Sequence, residues 1–306
     1  MMQTFAGFRT WTTQRAKDAI SQMIHESIEN CINLNLVQRT QSNKLIATDL
    51  GRVCASKKIT LDTFVILRNW LSSTLPVCEF TALYYAANAP ELSRISFRMS
   101  SSEFYSNIYV QYIRENHETL NIPRQILDDI AVPNQIELGF ESTRRLKMVL
   151  VAIAMIEGVQ YREIERHYHI GAGAIKNLCE HLAWIVDSSS ALAPFFGRTQ
   201  EEAEFLSILA DRLRFGVPCA ALPIARLRNQ GMNRTHLMQL LKNGYDTIDK
   251  ILDADLASFQ GVISRELAIN LQECLQRSIS DSLERRKREQ MVRLQKIGID
   301  TTVLVA

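Results

Sequence analysis

Trp184 stands on the polar side of an otherwise apolar helix, and it is the first residue in the chain whose type and position could do chemistry. Between Ala174 and Ser190, at about 100° per residue, Ile175, Cys179, Leu182 and Val186 share one face, with Leu178 and Ile185 beside them. Trp184 falls roughly opposite that face. Asn177 lies in line with it one heptad earlier and Ser188 one turn later, with Glu180 and His181 flanking the line. An indole outside the apolar stripe has two readings. It packs against a neighbouring domain, as large apolar side chains commonly do. Or it is a platform on which a nucleic-acid base stacks, while Lys176, Asn177 and His181 support the strand.

A second cluster is basic. From Arg212 to Arg234 there are five arginines (Arg212, Arg214, Arg226, Arg228, Arg234) and no Asp or Glu. Two short helices, Ala220 to Asn229 and Arg234 to Lys242, are expected to flank Gln230-Gly231-Met232-Asn233. Such a helix-hairpin-helix holds phosphate through exposed backbone N–H groups and nearby Arg without reading sequence. The competing reading is a solvated charged face. Other chemistry finds little support. There is no phosphate loop of the GxxxxGK[ST] kind, no GxGxxG after a strand, no HExxH and no G-x-S-x-G. His167, His169, Cys179 and His181 do not make a metal site, because Cys179 and His181 point about 160° apart on one helix. Glu163 and Glu165 near His167 read as a charged helix surface. The site expectation is therefore nucleic-acid binding, with no catalytic residues, no metal and no cofactor held by these residues.

The elements that must position these groups are helical. Thr13 to Cys31 carries apolar residues at helical spacing. Asn33 to Val37 and Lys44 to Ala47 are short strand candidates around a polar turn, and helices follow from Leu50 to Ser56, behind Thr48 and Asp49 as caps, and from Leu61 to Leu75. This pattern suggests a winged helix over residues 1–75, a unit that binds duplex DNA in some proteins and serves as a spacer in others. Residues 76–197 read as an all-helical bundle punctuated by Pro76, Pro90, Pro123 and Pro133. Residues 198–280 form a third helical block whose first helix, Thr199 to Phe215, stops at Gly216. A long helix is expected over 264–297, and residues 281–306 are a basic C-terminal tail. The fold class is mainly α.

The totals set limits. The 306 residues allow two or three domains, and 46% hydrophobic with 22% charged residues is an ordinary globular balance. A net charge of +2 confines any nucleic-acid contact to local patches. Six scattered cysteines without a CxxC pair suit reduced thiols. No signal peptide is visible, and the apolar run Met148 to Ile156 is too short to span a bilayer. The expected setting is intracellular, in the nucleus of a eukaryote or the cytoplasm of a prokaryote, with no membrane partner.

Several segments, in this order, resemble one family. Ala47-Thr-Asp-Leu-Gly51 looks like the start of the last part of a winged helix. Ile170 to Trp184 looks like a ratchet helix, and Arg212 to Arg228 like the lead-in to a helix-hairpin-helix. Thr4-Phe5-Ala6-Gly7 resembles a join between motor and winged helix. Together they resemble the C-terminal half of the superfamily-two DNA repair helicases of the archaeal Hjm, HELQ and polymerase-theta type. The resemblance implies that the ratchet helix lines a channel for single-stranded DNA, touched by an Arg and a Trp seven residues apart. Trp184 matches the Trp; Asn177 takes the place of the Arg, with Lys176 beside it. Arg226, Arg228 and Arg234 with the Gly231 turn would hold backbone phosphate, although the hairpin lacks the usual second glycine. The two ATP-driven motor domains of that family are not within these residues, so ATP and magnesium would belong to a motor in cis or in trans. The partner is then single-stranded or branched DNA, with RNA as an alternative strand. Two rivals stand beside this reading: a protein-interaction module of a helicase complex with Trp184 as anchor, and a winged-helix regulator of duplex DNA.

Overall fold

A computed structural model describes residues 14–130, 138–227 and 231–296. The chain is mainly α-helical, with one two-stranded antiparallel sheet among the described residues. The N-terminal part runs α1 (Gln14–Asn33), β1 (Val37–Arg39), β2 (Leu45–Ala47), α2 (Asp49–Lys57) and α3 (Leu61–Leu71). The middle follows as α4 (Glu79–Ala87), α5 (Pro90–Ser93), α6 (Ser101–Tyr105), α7 (Ile108–Asn116), α8 (Arg124–Ile130), α9 (Phe140–Ile156), α10 (Tyr161–Tyr168), α11 (Ala172–Leu192) and α12 (Gln200–Phe215). The remainder is α13 (Leu222–Ala225), α14 (Arg234–Lys242), α15 (Ile248–Leu252) and α16 (Arg265–Lys296).

Local chemistry explains the ends. The Thr48 hydroxyl accepts the Gly51 N–H and starts α2, and Thr60 does the same for Thr63 at α3. Thr199 and Glu202 form a reciprocal capping box on α12, which Gly216 ends in the left-handed conformation at φ 65°. The first strand lies later than its sequence pattern suggests. Helix α1 continues to Asn33, and Asn35 adopts φ 57°, a conformation Asn tolerates, so that β1 begins at Val37 and pairs with Ala47.

Two apolar cores organise the chain. One runs without interruption from Leu36 to Leu213, so the N-terminal unit and the bundle share it. The other spans Val217 to Leu275. Helix α12 therefore packs along α11 within the first core, although the sequence pattern places it in the third block. Position 281 falls inside the continuous helix α16, so no break separates a tail there. Residues 297–306 lie outside the described residues.

Helix α11 is central. It packs against α12, α4, α2 and α9, and this crowding buries more than one stripe. Ala183, Ser188 and Ser189 are buried along with Ile175, Leu178, Cys179, Leu182, Ile185 and Val186. Ser188, expected on the open line of Trp184, is 0% exposed and donates its hydroxyl to the Trp184 carbonyl at 2.8 Å. Helix α3 also spends one face on packing: Thr63, Phe64, Leu67, Trp70 and Leu71 are buried, and Arg68 is its one basic residue.

Candidate nucleic-acid interface

Trp184 is half-buried on α11, packed against the first core. Its Nε1–H donates to the Lys57 carbonyl at 2.7 Å. One turn further, Asp187 accepts the Lys57 ammonium at 2.6 Å. A single residue at the end of α2 thus latches the N-terminal unit to α11 through both its backbone and its side chain. The expectation that the indole faces open space is corrected: its pyrrole edge is committed to α2. The bond takes none of the ring's π surface. His181 stands nearly perpendicular to the indole, centroids 6.5 Å apart, and its own Nδ1 lies 2.8 Å from the Asn177 carbonyl. Asn177 is half-buried. Lys176 is exposed, with its ammonium 3.8 Å from Glu180, an ion pair that water weakens. Of the four expected residues of α11, His181 is the one that contacts both Trp184 and Asn177, while Lys176 pairs with Glu180.

The arginine run is different from its sequence appearance. Arg212 is buried and pairs with Glu79 and with Glu157. Asp211 accepts from both Arg214 and Arg226, the latter at 2.7 Å. The acids that neutralise the run come from just outside it or from far along the chain. Arg226 still shows about half of its side chain (49%) to solvent. Arg234 does not face solvent in the way expected of a phosphate ligand. Its guanidinium donates to the carbonyls of Gly216, of Met155 at 3.1 Å and of Val159 at 2.7 Å, and it lies 5.1 Å over the Tyr161 ring. Burial pulls its pKa below the usual arginine value. It clamps the start of α14 to the bundle. Gly231 is exposed at φ 82°, as a turn requires, and Asn233 caps α14 through the His236 N–H. Arg228 lies outside the described residues; before it, a 3-10 turn at Cys219–Ala221 and the short α13 take the place of the expected helix.

Burial also pushes the Cys179 thiol up to about 12, which keeps it a neutral apolar group. Deep in the bundle, Lys147 and Glu103 form an ion pair at 2.6 Å that composition could not foretell. Lys147 is fully buried, donates also to the Arg98 carbonyl and lies over the Phe97 ring. Burial opposes ionisation of Glu103, but hydrogen bonds from Lys147, Tyr109 and Ser100 hold its carboxyl down at about 2.

Residues 80–216 match the family described as archaeal helicase, domain 4. The chain is also similar to proteins named ATP-dependent DNA helicase Hel308. It is 22% identical over 257 residues to that of Aeropyrum pernix, covering 83% of this chain and 32% of the relative. For Methanocella arvoryzae the identity is 23% over 271 residues, 85% of this chain and 34% of the relative. For Thermococcus kodakarensis it is 23% over 270 residues, 86% of this chain and 22% of the relative. The chain thus spans about a third or less of the length of these relatives. The matched segment begins within α4 and ends on Gly216, one residue before the second core starts. Among the described residues, no helix is long and apolar enough to cross a membrane.

Proposed function

We propose that this chain is the nucleic-acid-binding accessory region of an ATP-driven superfamily-two DNA helicase, and that it guides single-stranded DNA past the motor. The observation that carries the reading is Trp184, partly buried on the long central helix of the segment that matches archaeal helicase domain 4, with His181 beside it, Asn177 one turn before His181, and Lys176 exposed on the same helix. The Lys57 carbonyl fixes the ring in advance, so a stacking base would meet a platform that loses little freedom on binding. Arg226, half exposed, and the exposed Gly231 turn would add phosphate contacts. The motor supplies ATP and magnesium, in cis or in trans.

Titration of labelled single strands tests this. Trp184→Ala is expected to weaken binding by about 1–3 kcal/mol, the usual value of one base–aromatic stack. Because that change also breaks the bond to Lys57, Asp187→Asn serves as a control that loosens the latch and leaves the ring. Equal losses in both variants would point to the latch and remove the stacking role. No affinity at low salt would end the proposal.

One observation favours a protein-docking reading alongside it. Met23, Ile24, Leu45 and Ile46 are exposed and line an apolar groove between α1 and the hairpin. A surface of that kind suits contact with a helicase motor domain.

A further inference from the structure

A second cleft lies where the two cores meet. It measures about 410 Å3 and opens between the start of α10 and the outer face of α14. Arg162 and Lys242 stand on its two sides, both exposed. Gln160, Thr235 and Gln239 add neutral hydrogen-bonding groups. No Asp or Glu is among the described residues that line it. This sets it apart from the arginine run, where Asp211, Glu79 and Glu157 already occupy the cations. Neither Arg162 nor Lys242 makes an ion pair among the described residues.

Two further features suit the cleft to an anion. Helix α10 starts here without a side-chain cap: Gln160 is its N-cap residue, with no hydrogen bond from its side chain to the first turn. The first N–H groups of the helix, where partial positive charge accumulates, thus take no bond from the Gln160 side chain. The floor is rigid. The Arg234 guanidinium lies over Tyr161 and is bonded to three carbonyls of the bundle and its edge. Gly158 sits so close to Met238 that a Cβ would come within 2.4 Å of its methyl carbon. The two walls are therefore held at a fixed separation.

We infer that this cleft is a phosphodiester site for the sugar–phosphate backbone of a single strand, with Arg162 and Lys242 gripping phosphates from opposite walls. The inference rests on the reading of the chain as a single-strand guide and adds a grip where the bundle meets the C-terminal block. A point charge from Lys242 and a fork from Arg162 hold phosphate without regard to base, as a translocating strand requires.

The test uses the full 306-residue chain, oligo-dT as probe, and a salt series. Arg162→Ala/Lys242→Ala removes two exposed charges and should leave the melting temperature unchanged. Every single-strand phosphate that is no longer neutralised lowers the slope of log K against log salt by about 0.7. The double variant is expected to flatten the slope by about 1.4 and to bind roughly tenfold more weakly at low salt. Trp184→Ala is expected to weaken binding with the slope kept. If wild type binds and the double variant keeps its slope and affinity, the cleft proposal is overturned while the guiding role stands. If wild type fails to bind oligo-dT at low salt, both fall.

Discussion

Arg234→Ala should uncouple the two halves of the molecule. The side chain reaches from the first residue of α14 to the carbonyls of Met155 and Val159 at the end of α9 and beyond it, and to Gly216 at the end of α12. A hydrogen bond from a charged donor contributes about 1.5–3 kcal/mol net, and the ring contact with Tyr161 adds about 1. The three bonds are not additive, and the Met155 carbonyl keeps the Gly158 N–H at 3.2 Å. The expected destabilisation is about 2–4 kcal/mol. It should fall on the block built around Val217 to Leu275, because that core is separate from the first. The tryptophans give a direct readout. Trp11, Trp70 and Trp184 all precede residue 217, so their fluorescence reports only the first part of the chain. Helical circular dichroism reports both parts. In urea the two midpoints are expected to separate in the variant, the dichroism moving to lower urea while fluorescence changes little. Arg234→Lys should lie between, since it keeps the charge and loses the fork. Coincident curves with a shift below about 0.5 kcal/mol would refute the clamp, that being the range of an ordinary surface change.

Two more outcomes follow from buried groups. Glu103 is held at about 2 in the folded chain, below its ordinary value, so the stability it confers is complete above the unfolded pKa near 4.5 and is lost as pH falls toward 2. Lys147→Met should cost about 3–5 kcal/mol by leaving that carboxylate unpaired, whereas Lys147→Met/Glu103→Gln should recover most of the loss and lose the acid dependence; urea midpoints from pH 6 to pH 3 check both. Gly51→Ala would ordinarily favour a helix, but here the added Cβ would lie 1.9 Å from the Leu36 carbonyl oxygen, so we expect destabilisation of at least about 2 kcal/mol, and a neutral or raised melting temperature would count against the packing described.

Much of the scaffold was legible because it is encoded locally. Thr48, Thr199 and Gly216 mark the starts of α2 and α12 and the end of α12, and each acts through partners within a few residues. The apolar stripe of α11 was legible for the same reason. What lay beyond reach was set by partners distant in sequence. Lys57 is 127 residues from Trp184, and Glu79 is 133 from Arg212. No periodicity announces either. An acid-free arginine run therefore looked more available to phosphate than it is, and an indole off the apolar stripe looked more open than it is. The Arg162 and Lys242 cleft escaped notice for the converse reason, since its two cations sit on separate helices that meet only when the chain folds.

The unbroken core from Leu36 to Leu213 has a mechanical implication. With Lys57 keyed into α11 twice, the described residues between Leu36 and Leu213 behave as one stiff arm rather than beads on a string. The wrist of that arm is the Gly216 corner, where one guanidinium spans the joint. Torque applied at the N-terminal end would thus travel the length of the arm and be felt first at that corner, so changes in reach or pitch of the last eighty residues are governed there.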